Sequence, residues 1–264
     1  MHTMPRASHR IFRTPEDLGS HVATRVLDGI AVAQMAGRRF LLGLPTGRTP
    51  RPVYAAMAAQ LARSPQSLTH LTLVMMDEYL RDGADGFAYA MAAGAPSCHA
   101  FTRDEIVGPL NGALPADLLL RDDSVWFPAA RDPAEYDDRI RAAGGIDFFL
   151  VASGASDGHV AFNPPGSALD SRTRIVTLSE QTRRDNLVTF PALGSLENVP
   201  RFGVSVGVAT IVDAREAVML AWGEGKRTSV ARMLRATHYE PDWPATLIHE
   251  CQHAELLVDR AAAP

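Results

Sequence analysis

Phe40-Leu41-Leu42-Gly43-Leu44-Pro45-Thr46-Gly47-Arg48-Thr49-Pro50 decides the fold: an unbroken apolar run stops at a proline and gives way to a short polar turn. Apolar residues without alternation mark a strand covered on both faces, as in parallel sheets flanked by helices. The same sequence of run and polar end recurs three times. Leu71 to Met76 leads into Asp77-Glu78, Ile146 to Ala152 into Ser153-Gly154-Ala155-Ser156-Asp157-Gly158-His159, and Ala217 to Trp222 into Gly223-Glu224-Gly225-Lys226. Helical segments lie around these runs. One is expected from Thr14 to about Gly37, with Thr14 as cap, Pro15 in the first turn and Glu16 and Asp17 behind it. Others are expected over Val53 to Ala62, Ala134 to Ala143 and Gly225 to Arg235. This alternation predicts an α/β fold, a Rossmann-like open, mostly parallel sheet with helices on both faces, as a single domain over residues 1–264. Arg81 to Pro96, rich in Gly and Ala, is expected to be a mobile loop or lid.

The 264 residues, 46% hydrophobic and 21% charged, suffice for one large buried core. A formal charge of -4 and a pI near 6.1 give no basic footprint for nucleic acid or anionic membranes. Any anionic ligand must then be held by local groups. Met1 to Arg13 has no apolar run of secretory length and no later stretch reaches transmembrane length, so a cytoplasmic protein is expected. The two cysteines, Cys98 and Cys251, form no CxxC pair and read as ordinary thiols.

Ligands of open α/β sheets bind outside the carboxyl ends of the strands, so the four polar ends should converge on one site. Thr46-Gly47-Arg48-Thr49 combines two hydroxyls, a permissive glycine and the amides of a helix entrance, which suits a phosphate; alternatively it is only a tight turn capped by Thr49. Lys226, at the start of a later helix, would add a point charge. Asp77-Glu78, directly after a buried strand, can be partly desolvated, which raises a carboxyl toward the range of a useful general base. In Asp157-Gly158-His159 the aspartate can orient the imidazole and select its tautomer. His249-Glu250-Cys251-Gln252-His253 fits the HExxH zinc pattern, but Pro244 before it and the strand-like Ala254 to Val258 after it argue against the helix that pattern needs, and no third ligand follows.

Several of these segments together resemble the glucosamine-6-phosphate deaminases and their isomerase relatives over nearly the whole chain. Gly43 to Pro50 is similar to that family's GLPTGGTP loop, Met76-Asp77-Glu78-Tyr79 reproduces its MDEY, and Asp157-Gly158-His159-Val160-Ala161-Phe162-Asn163 resembles its DGHIAFNEP. Ser171 to Ile175 and Val206 to Thr210 extend the match. The resemblance implies conversion of an amino-sugar phosphate to a ketose phosphate and ammonia, with no metal or organic cofactor and often as a homo-oligomer. It implies that His159 assists ring opening, Asp157 orients His159, and Asp77 moves a proton between C2 and C1 of the open-chain sugar. Thr46, Gly47, Thr49 and Lys226 would bind phosphate, with Arg48 and Glu78 also counted on the substrate side.

The match departs from the family in three places. Pro164 stands where the family has a glutamate after AFN, Val188 falls where an ungapped count places its phosphate-gripping arginine, and Leu80 to Ala95 is unlike its counterpart. Two other readings stay open: a 6-phosphogluconolactonase-like hydrolase, and a weakly catalytic sugar-phosphate sensor.

Overall fold

The computed structural model describes residues 7–90 and 97–264. The chain runs β1 (Ser8–Phe12), α1 (Pro15–Met35), β2 (Phe40–Leu44), α2 (Arg51–Arg63), β3 (Leu71–Met75), β4 (Asp77–Arg81), β5 (Ala88–Tyr89), α3 (Cys98–Phe101), α4 (Gly108–Gly112), β6 (Val125–Trp126), α5 (Ala134–Ala142), β7 (Phe148–Ala152), β8 (Arg174–Thr177), α6 (Glu180–Thr189), β9 (Phe202–Ser205), α7 (Val208–Val212), β10 (Ala217–Ala221), α8 (Arg227–Arg235) and β11 (Ala254–Asp259). Seven strands form a sheet in the order β1-β11-β10-β7-β2-β3-β6, and every pairing in it is parallel. The expected α/β architecture is present.

Strand alternation divides the core between the two faces of this sheet. Leu42, Leu44, Leu73 and Phe148 meet α1 through Leu18, Val22, Val26 and Ile30, whose spacing of four places them on one helix face. Leu41, Val74, Phe149 and Met219 meet Tyr136 and Ile140 of α5, Ile211 of α7 and Met233 of α8. Burying each such side chain contributes roughly 1.5–3 kcal/mol against leaving it exposed. At the centre, Gly43 pairs with Phe149, and a β-carbon on Gly43 would stand 2.3 Å from the Phe149 ring. α1 begins as expected, with Thr14 Oγ1 accepting from Asp17 N at 3.1 Å.

The order of strands reverses between β2 and β7, since the chain grows outward from β2 through β3 and then restarts at β7 on the other side. That reversal opens a crevice at the carboxyl edge. A second, antiparallel sheet, β5-β4-β9-β8, was not foreseen. Only Met76 separates β3 from β4, so Asp77-Glu78, expected as the polar end that follows the strand, is itself the start of a second strand, paired with Ser205 and Val204. β1, which pairs with β11 at the edge, was also not foreseen. Within the expected lid, Ala88 and Tyr89 fold back on Arg81 and Leu80 as a hairpin; residues 91–96 of that segment lie outside the described residues.

Candidate active site

The adjacent carboxyl ends of β3, β2, β7 and β10 enclose a cavity of about 370 Å³. The turn after β2 supplies Thr46, Gly47, Arg48 and Thr49 to its wall. Two side chains hold that turn from outside: Tyr54 donates its hydroxyl to Pro45 O at 2.5 Å, and Trp222 Nε1 donates to Thr49 O at 2.7 Å. Gly47 takes φ +97°, a left-handed conformation that a side chain would strain. Arg48 is exposed and lines the cavity, and its side chain makes no hydrogen bond or ion pair among the described residues. Lys226 reaches in from beyond β10 and donates its amine to Ser153 O. Burial lowers the pKa of that amine; Asp185 opposes the effect and Arg48 adds to it. Two cations thus face one region, which favours an anion there.

Asp77 lines the same cavity and is 7% exposed. Burial raises its carboxyl to about 7; the Cys98 thiol, donating to Oδ1 at 3.3 Å, works against that rise, and the nearby Glu78 charge adds to it. A carboxyl titrating there is matched to general base work near neutrality. Opposite, the turn after β7 folds tightly, with Gly154 N donating to His159 O at 2.7 Å. Within it, His159 Nδ1 lies 2.7 Å from Asp157 Oδ1, which also accepts from His159 N at 3.2 Å. Burial pushes the Asp157 carboxyl up, but its bonds to His159 and the charge of that ring outweigh it, and the net shift is downward. With Nδ1–H donated to the carboxylate, Nε2 is left for a ligand.

Thr46, Gly47, Arg48, Thr49, Asp77, His159 and Lys226 therefore come together as expected, while Asp157 stands behind His159 rather than in the cavity wall. Glu78 is a correction. It is 0% exposed and absent from the cavity wall, because the alternation of β4 turns it away from Asp77. Its carboxylate accepts from Tyr79 N, Cys98 N and His99 N at 2.7, 3.1 and 2.8 Å, and faces His99 Nδ1 at 2.5 Å. Its role is to tie β4 to α3. Asn163 is likewise internal, donating to Val160 O and Val206 O and accepting from Arg174 Nη1. A 3-10 helix over Pro244–His249 ends at the first residue of the HExxH segment, and Glu250 to His253 continue as turn and bend rather than α-helix, while His249 Nε2 lies 2.8 Å from Met233 O.

One wall was missed: Asp185, Asn186 and Thr189 of α6, with Phe190 directly after it. That helix has no apolar stripe, and only its cap, Ser179 Oγ accepting from Thr182 N at 3.0 Å, left a trace in sequence. Val188, on the same helix, is 55% exposed and turned out of the cavity.

Residues 13–258 match the family model described as glucosamine-6-phosphate isomerases/6-phosphogluconolactonase. The chain belongs to this family. Within the glucosamine-6-phosphate isomerase/6-phosphogluconolactonase family, a glucosamine-6-phosphate deaminase of Streptomyces avermitilis is 38% identical over 236 residues, covering 88% of this chain and 85% of the relative. A glucosamine-6-phosphate deaminase of Rhodococcus opacus is 34% identical over 260 residues, covering 96% and 90%. Among solved structures, a monomeric glucosamine-6-phosphate deaminase superposes with a TM-score of 0.81 at 27% identity, over 97% of this chain and 98% of that one. The 6-phosphogluconolactonase of Trypanosoma brucei shares the fold, with a TM-score of 0.66 at 21% identity over 97% of each chain.

Proposed function

We propose that this chain deaminates and isomerises an amino-sugar phosphate of the glucosamine-6-phosphate kind, releasing a ketose phosphate and ammonia. The observation that carries the reading is a buried carboxyl titrating near 7, Asp77, in the same cavity as His159 and the Thr46–Thr49 turn. His159, oriented by Asp157, moves the proton between the ring oxygen and the anomeric hydroxyl as the sugar opens. Asp77 then takes the proton from C2 of the open-chain aldose and returns it to C1, leaving an imine at C2. Water adds to that imine and ammonia departs, so that one water is consumed for each ammonia released. Arg48, Lys226 and the hydroxyls of Thr46 and Thr49 hold the anionic end, and no step calls for a metal or an organic cofactor.

The test is a panel of amino-sugar phosphates and their unphosphorylated counterparts, with ammonia and ketose measured together. Ammonia and ketose in equal amounts are expected from the phosphorylated members. Hydrolysis of a sugar lactone without ammonia would favour the lactonase reading. Ligand-dependent thermal stabilisation without turnover would favour a sensor, since binding to the native state alone raises stability. The same reading takes the protein to be cytoplasmic and a homo-oligomer. Cell fractionation and sedimentation test these two points, with a single-subunit mass as the contrary outcome for the second.

A further inference from the structure

The thiol of Cys98 stands between two parts of the site. Its Sγ lies 3.3 Å from Asp77 Oδ1 and 3.5 Å from Thr46 Oγ1, and the residue is 1% exposed. Its backbone is held in place: Cys98 N donates to Glu78 Oε1, and Ser97 Oγ accepts from Ala100 N at 3.0 Å. Tyr79 and Phe162 pack with it in one apolar cluster. Burial pushes the thiol far above its ordinary range, and the Glu78 and Asp77 carboxylates add to the effect. Cys98 therefore keeps its proton and remains a donor. Among the described residues, its bond is the one side-chain hydrogen bond that Asp77 receives.

We propose that Cys98 is a positioning residue for the proton transfer: its S–H fixes Oδ1 of Asp77, leaves Oδ2 for the sugar, and ties that orientation to Thr46 in the turn that holds the anionic end. This rests on Asp77 being the proton carrier of the proposed reaction. A thiol is a weak donor in water, but in a water-excluded site a single bond to a carboxylate weighs more. A hydrogen bond to the charged form lowers a carboxyl pKa, so losing it must raise that of Asp77. Glu78 and Tyr79 on its own strand, and His159, Lys226, Arg48 and Asp185 around the cavity, also surround Asp77. All of them are unchanged in Cys98→Ala.

The experiment compares parent, Cys98→Ala and Cys98→Ser in two ways. One is the pH profile of kcat on the best amino-sugar phosphate. The other is an infrared titration of the Asp77 carboxyl, isolated by subtracting the Asp77→Asn spectrum. In Cys98→Ala both should move upward together by about half to one pH unit, whereas Cys98→Ser, which retains a donor, should stay near the parent. An infrared titration unmoved in folded Cys98→Ala overturns the proposal. An infrared shift that leaves the kcat profile in place overturns the role of Asp77 as proton carrier, and the catalytic part of the proposal with it. If Cys98→Ala does not fold, the S–H stretching band of Cys98, read in a Cys251→Ser background, decides. It should move as Asp77 titrates, and an invariant band overturns the proposal.

Discussion

A β-carbon on Gly154 would stand 2.3 Å from Nδ1 of His159. It would also stand 2.4 Å from Asp157 Oδ1, so the Asp157–His159 pair exists only because residue 154 has no side chain. Gly154→Ala should retain the circular dichroism of the parent and lose about 10²-fold or more in turnover of a closed-ring substrate. His159→Gln should lose a similar factor on the closed ring and much less on an open-chain analogue. Rates on the two substrates check this, and equal losses would remove His159 from ring opening.

Asp77→Asn should reduce turnover by about 10²–10⁴-fold while leaving ligand binding largely intact, because the lost group is the proposed proton carrier. Kinetics and isothermal titration on the same preparation test both halves.

The raised carboxyl also makes a stability prediction. Folded Asp77 holds its proton up to about 7, whereas the ordinary value is 3.8. Between these values the native state binds more protons than the unfolded chain, so the stability due to this group falls as pH rises through the window. Asparagine has no such proton. The melting temperature of Asp77→Asn relative to parent should therefore be higher at about pH 8 than at about pH 4. A difference independent of pH would show that Asp77 titrates normally.

Arg48 is expected to carry much of the grip on the anionic end. A charge-assisted bond to phosphate contributes about 1.5–3 kcal/mol, so Arg48→Ala should raise KM for a phosphorylated sugar roughly tenfold to a hundredfold. It should leave KM for the unphosphorylated sugar nearly unchanged. Val188 is turned outward, so Val188→Arg alone should change KM little. An unchanged KM in Arg48→Ala would show that Lys226 and the turn suffice.

His249 is buried, and its Nδ1 has no partner among the described residues. His249→Phe should therefore alter thermal stability and leave turnover near parental, and activity should persist in chelator. A stoichiometric zinc requirement would revive His249 and His253 as ligands.

The centre of the main sheet was legible because β2, β3, β7 and β10 are buried along almost their whole length and run into polar residues within a few positions, as at Thr46 after Leu44-Pro45 and Ser153 after Ala152, whereas the exposed β1 carried no such signal. The rim followed from topology, since β3, β2, β7 and β10 are neighbours. The second sheet was not legible: β4 begins a single residue after β3, and Met76 between them continues the apolar run. α6 escaped for the opposite reason, being mostly polar with only the adjacent Leu187 and Val188 apolar, so its cavity residues Asp185 and Thr189 carried no periodic signal. Glu78 was misjudged because adjacency in sequence says nothing of which side of a strand a residue takes until that strand is recognised.

The pairing of β4 with β9 sets Asp77 opposite Ser205 and Glu78 opposite Val204. Successive strand residues face opposite ways, so a slip by one residue would bring Glu78 to the cavity and take Asp77 from it. The carboxylate would then be one methylene longer and cut off from the thiol. Which acid faces the cavity, and so can act as the proposed base, is thus a matter of odd or even count along a five-residue strand. An insertion of one residue between Met76 and Asp77 would silence the enzyme while leaving every side chain of the site in the chain, whereas changes of length beyond Arg81 would not touch that count.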